Sequence, residues 1–411
     1  MKLVKNNIQG KPLAWILTMI YFASYVTRIN FAAVVQEIIT DLGYEKSALS
    51  IILVVLSITY GAGQIVNGRI GDRIKPENLI FAGLIIATAM NLCFPFASGS
   101  IPMMTVLWAI NGFAQAMMWP PIVKILVASC DDATYGYSVV RISWGSSFGT
   151  ILVYLSAPLI IKIASWQTVF YASAAIGLLS ALTWGLLKSR VGALPKKEEK
   201  AALKEKKQER LSLPRAAALP LLLIALGIIF QGMLRDGVSS WMPTYLSEIF
   251  GLDSSASILL TVSLALFSIV TFAIAGWLYR RFFTNEVACG AVIFVTAALS
   301  ALLLFGFFEV GGVILAVLMM TMITGCMHGV NLMLITHVPK RFKKYGNIST
   351  VSGAINSCTY IGAAISTYGV AVLAENIGWR WTVGVWAVIA LLGTLCCLLA
   401  MKPWKQFFDK Q

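Results

Sequence analysis

The chain has 411 residues, of which 58% are hydrophobic and only 12% charged. Soluble globular chains carry about a quarter charged residues, so these proportions exclude a soluble domain and indicate a polytopic membrane protein. The net charge of +14 is spread over short segments between apolar runs, which makes the basic residues topology signals and speaks against a nucleic-acid-binding module.

Lys2, Lys5 and Lys11 precede an apolar stretch in the manner of a signal peptide. The stretch is too long and lacks a small-residue cleavage site, so it is read as the first membrane helix. At about 20 residues per crossing, apolar spans fall at roughly 13 to 35, 47 to 67, 78 to 98, 101 to 127, 136 to 161 and 166 to 187. A charged segment from Lys188 to Arg215 without apolar periodicity reads as a linker. Spans then resume at roughly 216 to 246, 254 to 279, 286 to 308, 310 to 337, 347 to 373 and 379 to 400. The expectation is an all-α membrane protein of twelve helices: a six-helix bundle over 1–187, a linker over 188–215 and a second bundle over 216–411. The seven cysteines form no C-x-x-C, and Cys396 and Cys397 adjoin in an apolar run, so neither a disulfide framework nor a metal site is expected.

Lys and Arg gather at the N-terminus, at Arg69, Arg73 and Lys75, in the linker, at Arg280 and Arg281, between Lys340 and Lys344, and in the tail. The alternate loops hold Glu37, Asp41, Glu45, Glu248, Asp253, Glu309 and Glu375. This distribution predicts that both termini are cytoplasmic; the membrane is expected to be the bacterial plasma (inner) membrane. The halves also repeat: Gly43 with Gly251, Gly68 with Gly276 and Arg73 with Arg281 share a spacing of about 208 residues, and Arg28 with Arg235 nearly so. Parallel halves of this kind carry a substrate site at the membrane midplane, where Arg28 and Arg235 are expected to face each other.

Helix 1 supplies the main chemical signal. An ionised Arg28 deep in an apolar span costs about 2.5 to 3.5 kcal/mol on insertion scales. Tyr21, Tyr25 and Arg28 stand at i, i+4 and i+7, so two phenols and a guanidinium share one helix face suited to an anion. The competing account is an arginine that snorkels or pairs with a carboxylate.

Between helices 2 and 3, G-R-I-G-D-R-I-K-P contains Gly68, Gly71, Asp72 and Arg73 and resembles the loop signature of the major facilitator superfamily. Its glycines allow close helix approach, and Asp72 is placed to hold a helix N-terminus or a basic group in one gate conformation. The second copy, G-W-L-Y-R-R from Gly276, has Arg280 in place of the acid. Q-G-M-L-R-D-G-V-S-S-W-M-P-T-Y-L, from Gln231, and F-A-Q-A-M-M-W-P-P-I-V-K, from Phe113, resemble the helix 7 and helix 4 motifs of the organophosphate:phosphate antiporter family. That resemblance implies the major facilitator fold, with a phosphoryl group bound by Arg28 and Arg235, flanked by Tyr21 and Tyr25. It further implies Tyr60, Gln115, Trp119 and Tyr360 as cavity lining. Two arginine forks match the oxygens of one dianion, and an empty carrier keeps two like charges unneutralised, which favours obligatory exchange.

The chain departs from the family in three places. Ile29 follows the helix 1 arginine where glycerol-phosphate carriers have lysine, Ser146 stands nearest a helix 5 histidine, and Gln64 replaces a helix 2 lysine. Asp236 adjoins Arg235; a 100° offset points it toward a neighbouring helix, as a structural partner or a coupling group. Arg141 is a third anion ligand or a snorkelling residue, and His328, between Gly325 and Gly329, a packing residue or a proton carrier. Lys124 and Lys162, near helix ends, are read as snorkelling. The primary expectation is a monomeric carrier exchanging a small organic phosphate for inorganic phosphate across the bilayer. The alternatives are a proton-coupled symporter of an organic carboxylate or sugar acid, and a transporter-like sensor. With two histidines, no G-x-x-x-x-G-K and no H-E-x-x-H, neither an enzyme nor a cofactor is expected.

Overall fold

The computed structural model describes residues 8–44, 46–191, 217–252, 254–345 and 347–409. Among them run twelve long helices: α1 Gly10–Leu42, α2 Lys46–Arg73, α3 Pro76–Cys93, α4 Ile101–Ser129, α5 Asp132–Ile163, α6 Trp166–Leu187, α7 Ala218–Phe250, α8 Ser254–Phe282, α9 Glu286–Gly306, α10 Gly312–Lys340, α11 348–377 and α12 379–409. Most of the expected linker, 192–215, lies outside the described residues. In a bilayer every backbone polar group needs an internal partner, and a continuous helix provides one.

Local chemistry sets the helix ends. α1 and α7 stop at Gly43 and Gly251, in the left-handed region at φ 67° and 66°, where a side chain is strained. Asp131 caps α5 by accepting from Thr134 N at 2.8 Å, and Asn285 caps α9 through Val287 N at 2.9 Å. Gly378, at φ 78° and ψ 167°, separates α11 from α12 with almost no loop.

The chain divides into two compact units, Met1–Ser212 with Phe342–Ala354, and Leu213–Arg341 with Ile355–Gln411. In the first, α1 packs on α5 and α6, α2 on α4, and α3 on α4 and α6. Phe31, Phe94, Trp108, Trp166 and Phe170 fill one end of its core, with Phe94 and Phe170 stacked at 4.6 Å. In the second unit α10 packs against α7, α8 and α9. Leu155, Leu159, Leu179, Leu182 and Leu186 are exposed on the first unit, as acyl chains rather than water are the solvent there.

Each unit carries the same tie between its first and last helix. Trp166 Nε1 donates to Asp41 Oδ2 at 2.8 Å, and Trp379 Nε1 donates to Glu248 Oε2 at 2.7 Å. The internal repeat therefore extends from matched glycines to matched indole–carboxylate bonds.

Candidate functional site

In the first unit the polar face of α1 is assembled as its spacing predicts. The Tyr21 and Tyr25 rings meet edge to face at 5.2 Å, and Trp119 of α4 lies 5.1 Å from Tyr21. The Arg28 guanidinium sits over the Tyr60 ring at 4.1 Å and the Tyr25 ring at 5.4 Å. Each such contact with a ring face contributes about 0.5 to 2 kcal/mol, which offsets part of the cost of a charge at this depth. The rings steady Arg28, and its N–H donors lie at the guanidinium edges rather than on the stacked face.

Trp119 reaches this face because α4 breaks beside it. Pro120 and Pro121 lack N–H groups, and their rings oppose the carbonyls one turn back. The regular ladder accordingly gives way to a turn at 116–118, closed by Met117 N to Ala114 O at 3.0 Å and Met118 N to Gln115 O at 3.2 Å, and the helix restarts at Trp119. Gly83 lets α3 approach this turn, since a Cβ there would lie 2.8 Å from Ala114 O. The indole N–H of Trp119 is buried without a hydrogen-bond partner among the described residues.

Gln115 is placed differently from its expected lining role. It is 1% exposed, accepts from Ser24 Oγ at 2.5 Å and donates to Thr27 Oγ1 at 2.9 Å and Asn111 Oδ1 at 3.4 Å. Asn111 and Asn91 both donate to Thr27 O, at 3.0 and 2.8 Å, and Asn30 donates to Asn91 Oδ1 at 2.6 Å. This uncharged lattice joins α1 to α3 and α4 and fixes the rotation that presents Tyr21, Tyr25 and Arg28. Scattered asparagines and a glutamine carry no periodic signal, so nothing local in the sequence marks the network. Gln64, one turn beyond Tyr60, has no exposed surface, and neither end of its amide has a partner among the described residues. A stranded buried group of this kind costs about 1 to 3 kcal/mol.

Arg141 belongs to another group of rings, with its guanidinium 4.0 Å from Trp144, 5.0 Å from Tyr137 and 5.5 Å from Trp15. At the start of α11, within the first unit, Asp72 accepts from Ser349 N at 3.1 Å and Thr350 N at 2.7 Å. Lys124 lies 3.8 Å from the same carboxylate and donates to Gly71 O, so it is held by this loop motif instead of snorkelling. Gly68 permits the approach, since a Cβ there would be 2.7 Å from Ser349 O. Arg73 ends α2 and is exposed.

In the second unit Arg235 folds back on its chain neighbour. Its Nε donates to Asp236 Oδ1 at 2.7 Å and its Nη2 to Asp236 Oδ2 at 2.9 Å. The helical offset pointed Asp236 toward another helix; the length of the arginine side chain overcomes that offset. Gln231, one turn earlier, donates to Met327 O of α10 at 3.1 Å and accepts from Thr359 Oγ1 of α11 at 3.3 Å. Gly232 and Gly362 bring the α7 and α11 backbones together, where any Cβ would overlap a carbonyl of the facing helix. Tyr360 follows Thr359 and is half-buried. His328 packs on Phe272 of α8 at 5.2 Å and is within electrostatic reach of both Arg235 and Asp236.

A sequence model described as Major Facilitator Superfamily matches residues 17–367. A glycerol-3-phosphate transporter of Bacillus subtilis is 26% identical over 69% of this chain and 68% of its own length. A "Probable hexose phosphate transport protein" of Chlamydia muridarum is 29% identical over 47% of this chain and 42% of that one. Among solved structures, the E. coli fucose:proton symporter FucP superimposes with a TM-score of 0.73 at 14% identity, covering 94% of this chain and 98% of that one. A likeness at that identity speaks for the fold alone.

Proposed function

We propose that this chain, which belongs to the Major Facilitator Superfamily, carries a small organic phosphate across the membrane in exchange for inorganic phosphate by alternating access. The phosphoryl group is bound by the guanidinium groups of Arg28 and Arg235, with Tyr21, Tyr25, Tyr60, Trp119 and Tyr360 around it. The observation that carries this reading is Arg28 set over Tyr60 and Tyr25 inside a membrane helix. Stacked arginine keeps its charge and its planar donor edge, the geometry that suits two oxygens of a phosphoryl group. The phosphate carriers among the relatives add support for the substrate class.

Gln115 holds α1 from behind in this proposal, Asp72 with Gly68, Gly71 and Arg73 steadies a gate, and both termini are cytoplasmic in a plasma membrane. The decisive experiment is counterflow: purified protein in liposomes preloaded with unlabelled phosphate takes up labelled phosphate and then labelled glycerol 3-phosphate. Uptake that needs no internal phosphate but follows an inward pH gradient would favour proton-coupled symport of an organic anion, a reading to which the carboxylate on Arg235 lends weight. Ligand binding without flux in either mode would indicate a sensor.

A further inference from the structure

We infer that Asp236 is an internal counter-anion for Arg235, and that a phosphoryl ligand takes the Arg235 fork only once a proton has neutralised the Asp236 carboxylate. This rests on the reading of Arg235 as a phosphoryl-binding residue. Adjacent side chains leave a helix about 100° apart, so the two groups meet only because the arginine curls back. It then presents Nε and Nη2 to two oxygens, at 2.7 and 2.9 Å. That two-point contact is the one a phosphoryl group requires, so ligand and carboxylate compete for the same donors.

The pair is also open to an incoming ion, the side chains being 16% exposed for Arg235 and 29% for Asp236. Glu286, a buried carboxylate of this unit, differs: it has no exposed surface and is closed in by Arg341 and by the Trp404 indole at 3.1 Å. Glu286 is built to stay paired, whereas the Asp236 pair can exchange partners. With Asp236 ionised, Arg235 is already neutralised and an incoming anion gains little there. A proton from solution leaves a neutral acid with a far weaker grip, Arg235 moves its two donors to phosphoryl oxygens, and one proton is taken up per ligand bound.

Other titratable groups on the packed helices bear on the test. α10 carries Cys326, His328, His337 and, at its end, Lys340; α11 carries Cys358, Tyr360, Tyr368 and, exposed near its end, Glu375; α8 carries none from Ser254 to Leu278. Ordinary thiols and phenols ionise above the neutral range, whereas imidazole titrates within it. His328, in reach of both members of the pair, is therefore the group to be separated.

The experiment compares inorganic phosphate affinity of wild type, Asp236→Asn and His328→Gln from about pH 5 to about pH 8, with folding followed by thermal unfolding in detergent. Phosphate's own ionisation is common to all three and cancels in their ratios. At about pH 7.5 Asp236→Asn should bind roughly tenfold or more tightly than wild type, the scale of a lost charge-assisted contact, and the gap should close as the pH falls. His328→Gln should keep the wild-type dependence. Equal affinity and equal pH profile in wild type and Asp236→Asn would overturn the inference, as would transfer of the effect to His328→Gln. Loss of folded protein in both Asp236→Asn and Asp236→Ser would make the carboxylate structural and overturn it too. A wild-type protein with no saturable phosphate binding at any pH would instead refute the phosphate reading itself.

Discussion

The indole N–H of Trp166 donates to Asp41 at 2.8 Å, joining the start of α6 to the last turn of α1. Its counterpart, Trp379 on Glu248, repeats the tie at 2.7 Å in the other unit. A hydrogen bond to a charged group is worth about 1.5 to 3 kcal/mol when buried, and the exposure of Asp41 lowers that toward about 1 kcal/mol. Trp166→Phe keeps an aromatic ring against Phe170 and removes the donor together with part of the indole. Each of Trp166→Phe and Trp379→Phe should lower the unfolding temperature of purified protein by a few degrees, and the double variant should show the sum, as the two ties share no partner.

The Glu286 carboxylate sits under Arg341, bound by Nε and Nη2 at 3.0 Å each. Removing one member of a buried pair costs about 3 to 5 kcal/mol; Arg341 is 38% exposed, which sets the expectation at the lower end. Glu286→Gln should thus lose about 3 kcal/mol in thermal unfolding. Glu286→Leu combined with Arg341→Met should recover part of that loss, because no lone charge is left. A double variant no more stable than the single one would mean that the Trp404 indole, not the ion pair, carries the stability of this corner.

Arg28→Lys and Arg235→Lys keep the charge and remove the planar fork. If both guanidiniums read a phosphoryl group, each change should weaken phosphate binding at least about tenfold, at about 1.5 to 3 kcal/mol per charge-assisted contact. Binding in detergent and counterflow in liposomes measure this, with folding checked separately. Near-normal behaviour of both variants would remove the phosphoryl assignment.

Gln115→Leu tests whether the helix 4 glutamine meets the ligand or holds α1. Leucine fills similar volume but takes the acceptor from the Ser24 hydroxyl and the donor from Asn111 Oδ1, while Thr27 keeps its bonds to Ala23 O and Ser24 O, so stability should fall by about 1 to 3 kcal/mol per unsatisfied group. Phosphate affinity should stay within about threefold. A tenfold affinity loss in a protein of normal stability would restore Gln115 to the ligand.

Topology follows from exposed ends of opposite charge character. In a cysteine-free background, a cysteine at Lys75 should be labelled by an impermeant maleimide only in inside-out vesicles, and one at Glu309 in intact cells. The reverse pattern would invert the assigned orientation.

The sequence by itself determined the twelve long helices seen among the described residues, because run length and apolarity are set residue by residue; the helices run past the expected ends at about 35 and 246 to the left-handed Gly43 and Gly251, since apolarity alone does not mark where a helix stops. It also determined the face of Tyr21, Tyr25 and Arg28, since helical spacing alone brings them together; that Trp119 and Tyr60 meet this face was settled by the packing of other helices against it. Only the tertiary structure decided what those residues lean on. Gln115 turned inward to Ser24 and Thr27, Asp72 found the backbone of Ser349 and Thr350, and Glu286 found Arg341. Asp236 stands next to Arg235 in the chain, yet their bond depended on the rotamer of a long side chain. Helical periodicity fixes which side of a helix a residue occupies; which group from another helix meets it there, and whether a flexible side chain reaches it, are settled by packing.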